Sequence, residues 1–175
     1  MKKQVTNILS ITVILMLGIG LLSFNTVKEN EMKEKKVKKI EFNYVTDITN
    51  VSADGLWAIV GEDFANAGKW ATSIDHSTGS GNPEFSGATC SERSCDLNAK
   101  GFSAITEKLT QYDPAIKELT YIVNNGFPGF VTKLENHWSV ESVRDSTSRL
   151  KMHLTMEMKP FVGALMGGMM KKNVN

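Results

Sequence analysis

The sequence predicts an α+β domain: a curved antiparallel sheet wrapped around a C-terminal helix, with two short helices after the first strand. Three observations predict it. Apolar and polar residues alternate in long runs after residue 85, the period of half-buried strands. One compact helical signature precedes those runs. A last apolar stretch with helical spacing follows Pro160, placed to cover the one sheet face that must be buried.

Ile40, Phe42 and Tyr44 alternate with polar neighbours and predict the first strand. VSADGLWAIVGEDF then predicts a helix. Ser52 is a suitable N-cap, Val51 and Leu56 have hydrophobic-staple spacing, and Trp57, Val60 and Phe64 fall on one face. Ala65–Gly68 break that helix, and a second short helical piece carries Trp70 and Ile74. Residues 76–83 (HSTGSGNP) have loop composition. Phe85–Leu97 and Phe102–Tyr112 are expected as strands around a turn at Asn98–Gly101. Lys117–Asn124 and Thr132–Val143 are expected around a second turn at Asn125–Gly129. In Thr147–Lys159, Leu150, Met152, Leu154, Met156 and Met158 share one face, and Lys151, His153, Thr155, Glu157 and Lys159 share the other. Pro160 suits the first turn of a helix whose apolar face is Phe161, Leu165 and Met169.

Two segments precede this domain, which is expected over residues 40–175. Lys2 and Lys3 stand before an apolar run from Ile8 to Phe24, the layout of an export signal or of a membrane anchor. LLSFNTV supplies no clear Ala-x-Ala, and both readings of residues 1–24 stay open. No cysteine follows the run, which excludes a lipoprotein anchor. Residues 25–39 (NTVKENEMKEKKVKK) read as a solvated charged linker. The expected location is the cell envelope, with the membrane as partner through the N-terminal segment.

Composition excludes several classes. The chain has 175 residues and a net charge of +1. Lys2 and Lys3 are the only charges before residue 28, so the remainder is close to neutral and no nucleic acid is expected as a partner. Two cysteines make neither a disulfide framework nor a four-cysteine zinc site. Cys90 and Cys95 are five positions apart on an expected strand, about 16 Å and on opposite faces, which opposes a bridge between them. His76, His137 and His153 are scattered and expected at solvated positions. HExxH, GxSxG and a phosphate-cradling glycine loop are missing from the sequence, so neither a metal nor a cofactor is expected. Oligomeric state is not legible.

SADGLWAIVGEDF, GATCSERSC, GFSAITEKLTQYD, LTYIVNNGFP, HWSV and MKPFVGALMGGMM, in that order, resemble the SRPBCC (START/Bet v 1-like) superfamily, in particular its polyketide cyclase/dehydrase-type members. The resemblance covers roughly residues 40–171. It implies a helix-grip fold with a deep apolar cavity between sheet and terminal helix. It also implies binding of a lipid, steroid, polyketide or other hydrophobic small molecule, and only some members are enzymes. One departure concerns the terminal helix: about 15 residues, or about 22 Å, are available for it here, and family members usually have a longer one.

Strand parity puts Arg93 on the face of Cys95 and Leu97, and Glu107 on the face of Ile105 and Leu109. The hairpin then brings Arg93 and Glu107 together on the apolar side, as a structural ion pair or as a polar anchor for a ligand. Trp57, Phe64, Trp70, Tyr121, Trp138, Phe161 and Met166 are expected around the interior, as core or as cavity wall. Phe127 and Phe130 are candidate gate residues beside the GFPG turn. Met152, Met156, Met158, Met166, Met169 and Met170 suit either adaptable ligand contact or gap-filling. The resulting reading is a carrier of a hydrophobic small molecule. Its rivals are a cyclase/dehydratase-type enzyme using Glu107, Arg93 and Tyr121, and an accessory envelope protein with a vestigial cavity.

Overall fold

Seven antiparallel strands form one sheet in a computed structural model that describes residues 37–98 and 103–160. The strands are β1 (Lys38–Thr49), β2 (Ile74–Ser80), β3 (Glu92–Leu97), β4 (Ala104–Asp113), β5 (Glu118–Asn125), β6 (Val131–Arg144) and β7 (Thr147–Met158). Their spatial order is β1-β7-β6-β5-β4-β3-β2, so β2 to β7 meander and β1 docks against β7 at the far edge. The sheet is curved and unclosed, as the helix-grip fold implied by the family resemblance requires. Residues 1–36, with the apolar run and most of the charged linker, lie outside the described residues. So do residues 161–175, with the expected terminal helix and its Phe161 and Met166. Among the described residues no helix is long and apolar enough to cross a membrane.

The connection from β1 to β2 carries the helical segments across one face. Helix α1 (Ala53–Trp57) begins where the sequence places it: the Ser52 hydroxyl accepts from the Gly55 N–H at 3.1 Å, and Val51 and Leu56 are both buried. The expected helix over 51–64 does not stay regular. It widens to a π-helical turn at Ala58–Glu62 and tightens to a 3-10 segment at Phe64–Lys69. Trp57, Val60 and Phe64 are nevertheless all buried, as their spacing predicts. A close approach shapes this stretch: a Cβ at Gly61 would lie 2.5 Å from the Trp57 ring, so the indole packs directly on bare backbone. Helix α1 sits over β6 and β7, and the 3-10 segment over β2 and β3.

Two expectations are corrected. The second helical piece with Trp70 and Ile74, followed by a loop, is instead a 3-10 segment that ends before Trp70 and an edge strand, β2. Its run DHSTGS lacks apolar alternation because its small residues serve contact with the helical segment. The Gly68 N–H donates to the buried Ser77 hydroxyl at 2.9 Å, and a Cβ at Gly79 would lie 2.7 Å from that of Ala65. The expected strand Phe85–Leu97 shrinks to Glu92–Leu97; residues 81–91 turn instead, with Gly81 and Gly87 at positive φ. The remaining strands match their expected spans closely. In β7, Leu150, Met152, Leu154 and Met158 are buried and Met156 is half-buried. A register irregularity between Leu109 and Gln111 in β4 shifts the parity and turns Tyr112 inward.

Gly61→Ala should destabilise the domain by about 1–3 kcal/mol through overpacking against Trp57, read as a lower urea midpoint at unchanged slope. An unaltered midpoint would remove the close approach as the cause of the irregular helix.

Candidate functional site

The β3–β4 register pairs Arg93 with Glu107 directly, as strand parity predicts. Arg93 is 3% exposed and Glu107 4%, and Arg93 Nε donates to Glu107 Oε2. Each charge has further support. Arg93 Nη1 donates to the Phe64 carbonyl at 2.8 Å, and the Cys95 thiol, 3.7 Å away, donates to Glu107 Oε2. The guanidinium carbon lies 4.1 Å from the centre of the Phe64 ring and 5.2 Å from that of Tyr121. Burial is the strongest single influence and works against the Arg93 charge, but Glu107, together with Tyr121 and Cys95, holds the guanidinium pKa above its ordinary value. Burial, with Glu107 adding to it, pushes the Cys95 thiol up to about 12. The same two causes raise the Tyr121 hydroxyl far above the ordinary phenol range, so it stays protonated.

Tyr121 links this pair to β6. It is the Cα partner of Asn136, whose Nδ2 donates to the Tyr121 hydroxyl oxygen at 2.9 Å. Asn136 is 0% exposed, and its Oδ1 has no hydrogen-bond partner. Rings continue the cluster. Tyr121 lies 5.9 Å from Phe64 and 6.2 Å from Trp138, and Trp138 lies 6.0 Å from Trp70, all centre to centre and tilted. The chain has 3 tryptophans, and each buries its indole N–H without a partner. Buried Trp N–H groups normally find one, and each lost bond costs about 1–3 kcal/mol.

The structure thus assembles Phe64, Trp70, Arg93, Glu107, Tyr121 and Trp138 from the predicted set. Trp57 pairs instead with Tyr112, 5.3 Å between ring centres. Phe127 and Phe130 are half-buried at the β5–β6 turn, with Phe127 packed on the core. Cys90 and Cys95 are buried free thiols. His137 and His153 are half-buried and His76 is exposed. Among the described residues no group of three metal-ligating side chains forms. Asn136 was the residue missed. Its signal is an amide in step with Leu134, Trp138 and Val140 on the apolar face of β6.

Two outcomes follow from the buried pair. Glu107→Gln leaves the Arg93 charge unpaired and should destabilise the domain by about 3–5 kcal/mol, whereas Arg93→Met with Glu107→Leu should recover most of that. Urea unfolding of the single and double variants checks it. Both thiols should resist a thiol-labelling reagent in the native protein and react after denaturation; rapid native labelling of Cys95 would contradict its burial.

Comparison with known proteins bears on this geometry. No curated protein sequence matches the chain. A START superfamily protein from Mycobacterium smegmatis has a similar structure, with a TM-score of 0.56 at 20% identity, over 75% of this chain and 89% of that one. Norcoclaurine synthase from Thalictrum flavum, in complex with dopamine and hydroxybenzaldehyde, gives 0.60 at 12% identity, over 84% and 87%. The Zhui aromatase/cyclase from Streptomyces sp. R1128 gives 0.55 at 11% identity, over 68% of each chain. At these identities the structures share the fold alone. The sequence profile of one family spans residues 39–175, and the chain belongs to it: polyketide cyclase / dehydrase and lipid transport.

Proposed function

We propose that residues 40–175 bind or carry a hydrophobic small molecule in an internal cavity, with its polar end at the cluster of Tyr121 and Asn136 beside the Arg93–Glu107 pair. The observation that carries this reading is the unspent hydrogen-bonding capacity of that interior. Trp70, Trp138 and Asn136 bury polar atoms without partners among aromatic rings, the lining expected where a mostly apolar guest meets a few polar groups. The family's breadth, from cyclases to lipid transport, supports an apolar ligand class. That norcoclaurine synthase was solved with two small aromatic molecules is in keeping with it. The basic residues and apolar run at the N-terminus support export, and placement of the domain in the cell envelope.

Native mass spectrometry of the chain purified from its source is the direct test. A co-purifying small mass, lost on organic extraction and replaceable by an apolar fluorescent probe, is the expected result. A preparation that holds no such mass and takes up no probe would leave an accessory protein with a filled interior as the better reading.

A further inference from the structure

Resting on the ligand-binding reading above, we infer that the guest is uncharged and carries a hydroxyl, which bonds to the free donor and acceptor of the hydrogen-bonded Tyr121–Asn136 pair. The argument is an inventory of hydrogen bonds. Asn136 Nδ2 donates to the Tyr121 oxygen at 2.9 Å, which leaves the Tyr121 proton without an acceptor among the described residues and Asn136 Oδ1 without a donor. Turning the amide over exchanges the roles: Tyr121 then donates to Oδ1, and the Tyr121 lone pair and Nδ2 are left over. In both orientations the pair keeps an acceptor and two donors to spend, the second Nδ2 N–H being one of them. A hydroxyl is donor and acceptor at once and answers both kinds. A carboxylate only accepts, so one protein group stays orphaned.

Charge points the same way. Arg93 lies over the Tyr121 ring, and Glu107 already neutralises it. A second anion would be buried with no charge left to offset it. An alkane answers none of the free groups, and an amine brings an unpaired cation.

Three probes of one shape separate these cases: naphthalene, naphthol and naphthoate, titrated into the full chain at about neutral pH, where the acid is ionised and the naphthol is not. Naphthol should bind about tenfold more tightly than naphthoate. Tyr121→Phe, which keeps the ring in place, and Asn136→Leu should each lower the naphthol-to-naphthalene affinity ratio by about fivefold. A thermal melt confirms that each variant is folded, and the Tyr121 variant with the native chain suffices if the other is not. Naphthoate binding as tightly as naphthol, or a ratio unmoved by both changes, overturns the inference while leaving a hydrophobic-ligand binder standing; a water held on the free groups of the pair gives that unmoved ratio. Failure of all three probes and of the apolar fluorescent probe sinks the ligand-binding reading itself, and this inference with it.

Discussion

Arg93 and Glu107 face each other across β3 and β4 with almost no solvent on either, and neither charge is tolerable there alone. That requirement sets the local architecture. A slip of β3 against β4 by one residue would turn Arg93 and Cys95 to the opposite face and leave Glu107 buried without its partner, so the ion pair and the apolar residues enforce one register together. The pair also reaches beyond the sheet. Through the Phe64 carbonyl and ring, Arg93 holds the 3-10 segment, fixing how the β1–β2 connection lies across β3. The Gly68–Ser77 bond and the approach of Ala65 to Gly79 hold the same segment against β2.

The interior beyond that pair is polar without being charged. Tyr121, Asn136, Trp70 and Trp138 adjoin one another through ring contacts and one hydrogen bond, and three of the four keep a buried polar atom unpartnered. A core selected only for stability would fill these positions with aliphatic side chains, because a partly satisfied polar network is worse than none. Retaining it makes physical sense if something enters to complete it. The Arg93 side contrasts with this: its hydrogen bonds run to Glu107 and Phe64, and its role in the site is to hold β3, β4 and the helical segment in place around the unfinished part.

Legibility of the fold followed the strength of the local signal. Period-two alternation in β6 and β7, the Ser52 cap and the Trp57–Val60–Phe64 face could be read directly, since each reflects one side chain and one face. Parity alone placed Arg93 opposite Glu107, because a hairpin has few registers that bury apolar residues. Strand β2 was not legible. Its glycine and serines are there for close packing against the helical segment, a tertiary demand that looks like loop composition in a single sequence. The regular helix expected over 51–64 failed for a related reason: the fit of Trp57 on Gly61 accompanies a wider turn that 3.6-residue spacing does not reveal. Asn136 was visible as a polar residue in an apolar series, yet its meaning depends on Tyr121 one strand away. Tyr112 turns inward only through the irregularity in β4.

The chemistry of the assembled groups bears on whether such a site moves protons or holds them. General acid–base work near neutral pH calls for a group that exchanges its proton there. The Glu107 carboxylate is committed to Arg93, burial and Glu107 hold the Tyr121 hydroxyl protonated, and the same causes keep Cys95 a thiol. The three histidines are half-buried or exposed rather than part of the fully buried cluster. What the described interior offers is therefore a set of donors and acceptors whose protons stay where they are. Fixed protons make poor catalysts and good recognition elements, because they present the same hydrogen-bond pattern at every encounter. A cyclisation or dehydration that drew on the described interior alone would need its acid or base from the guest, or a rearrangement that frees Glu107 from Arg93.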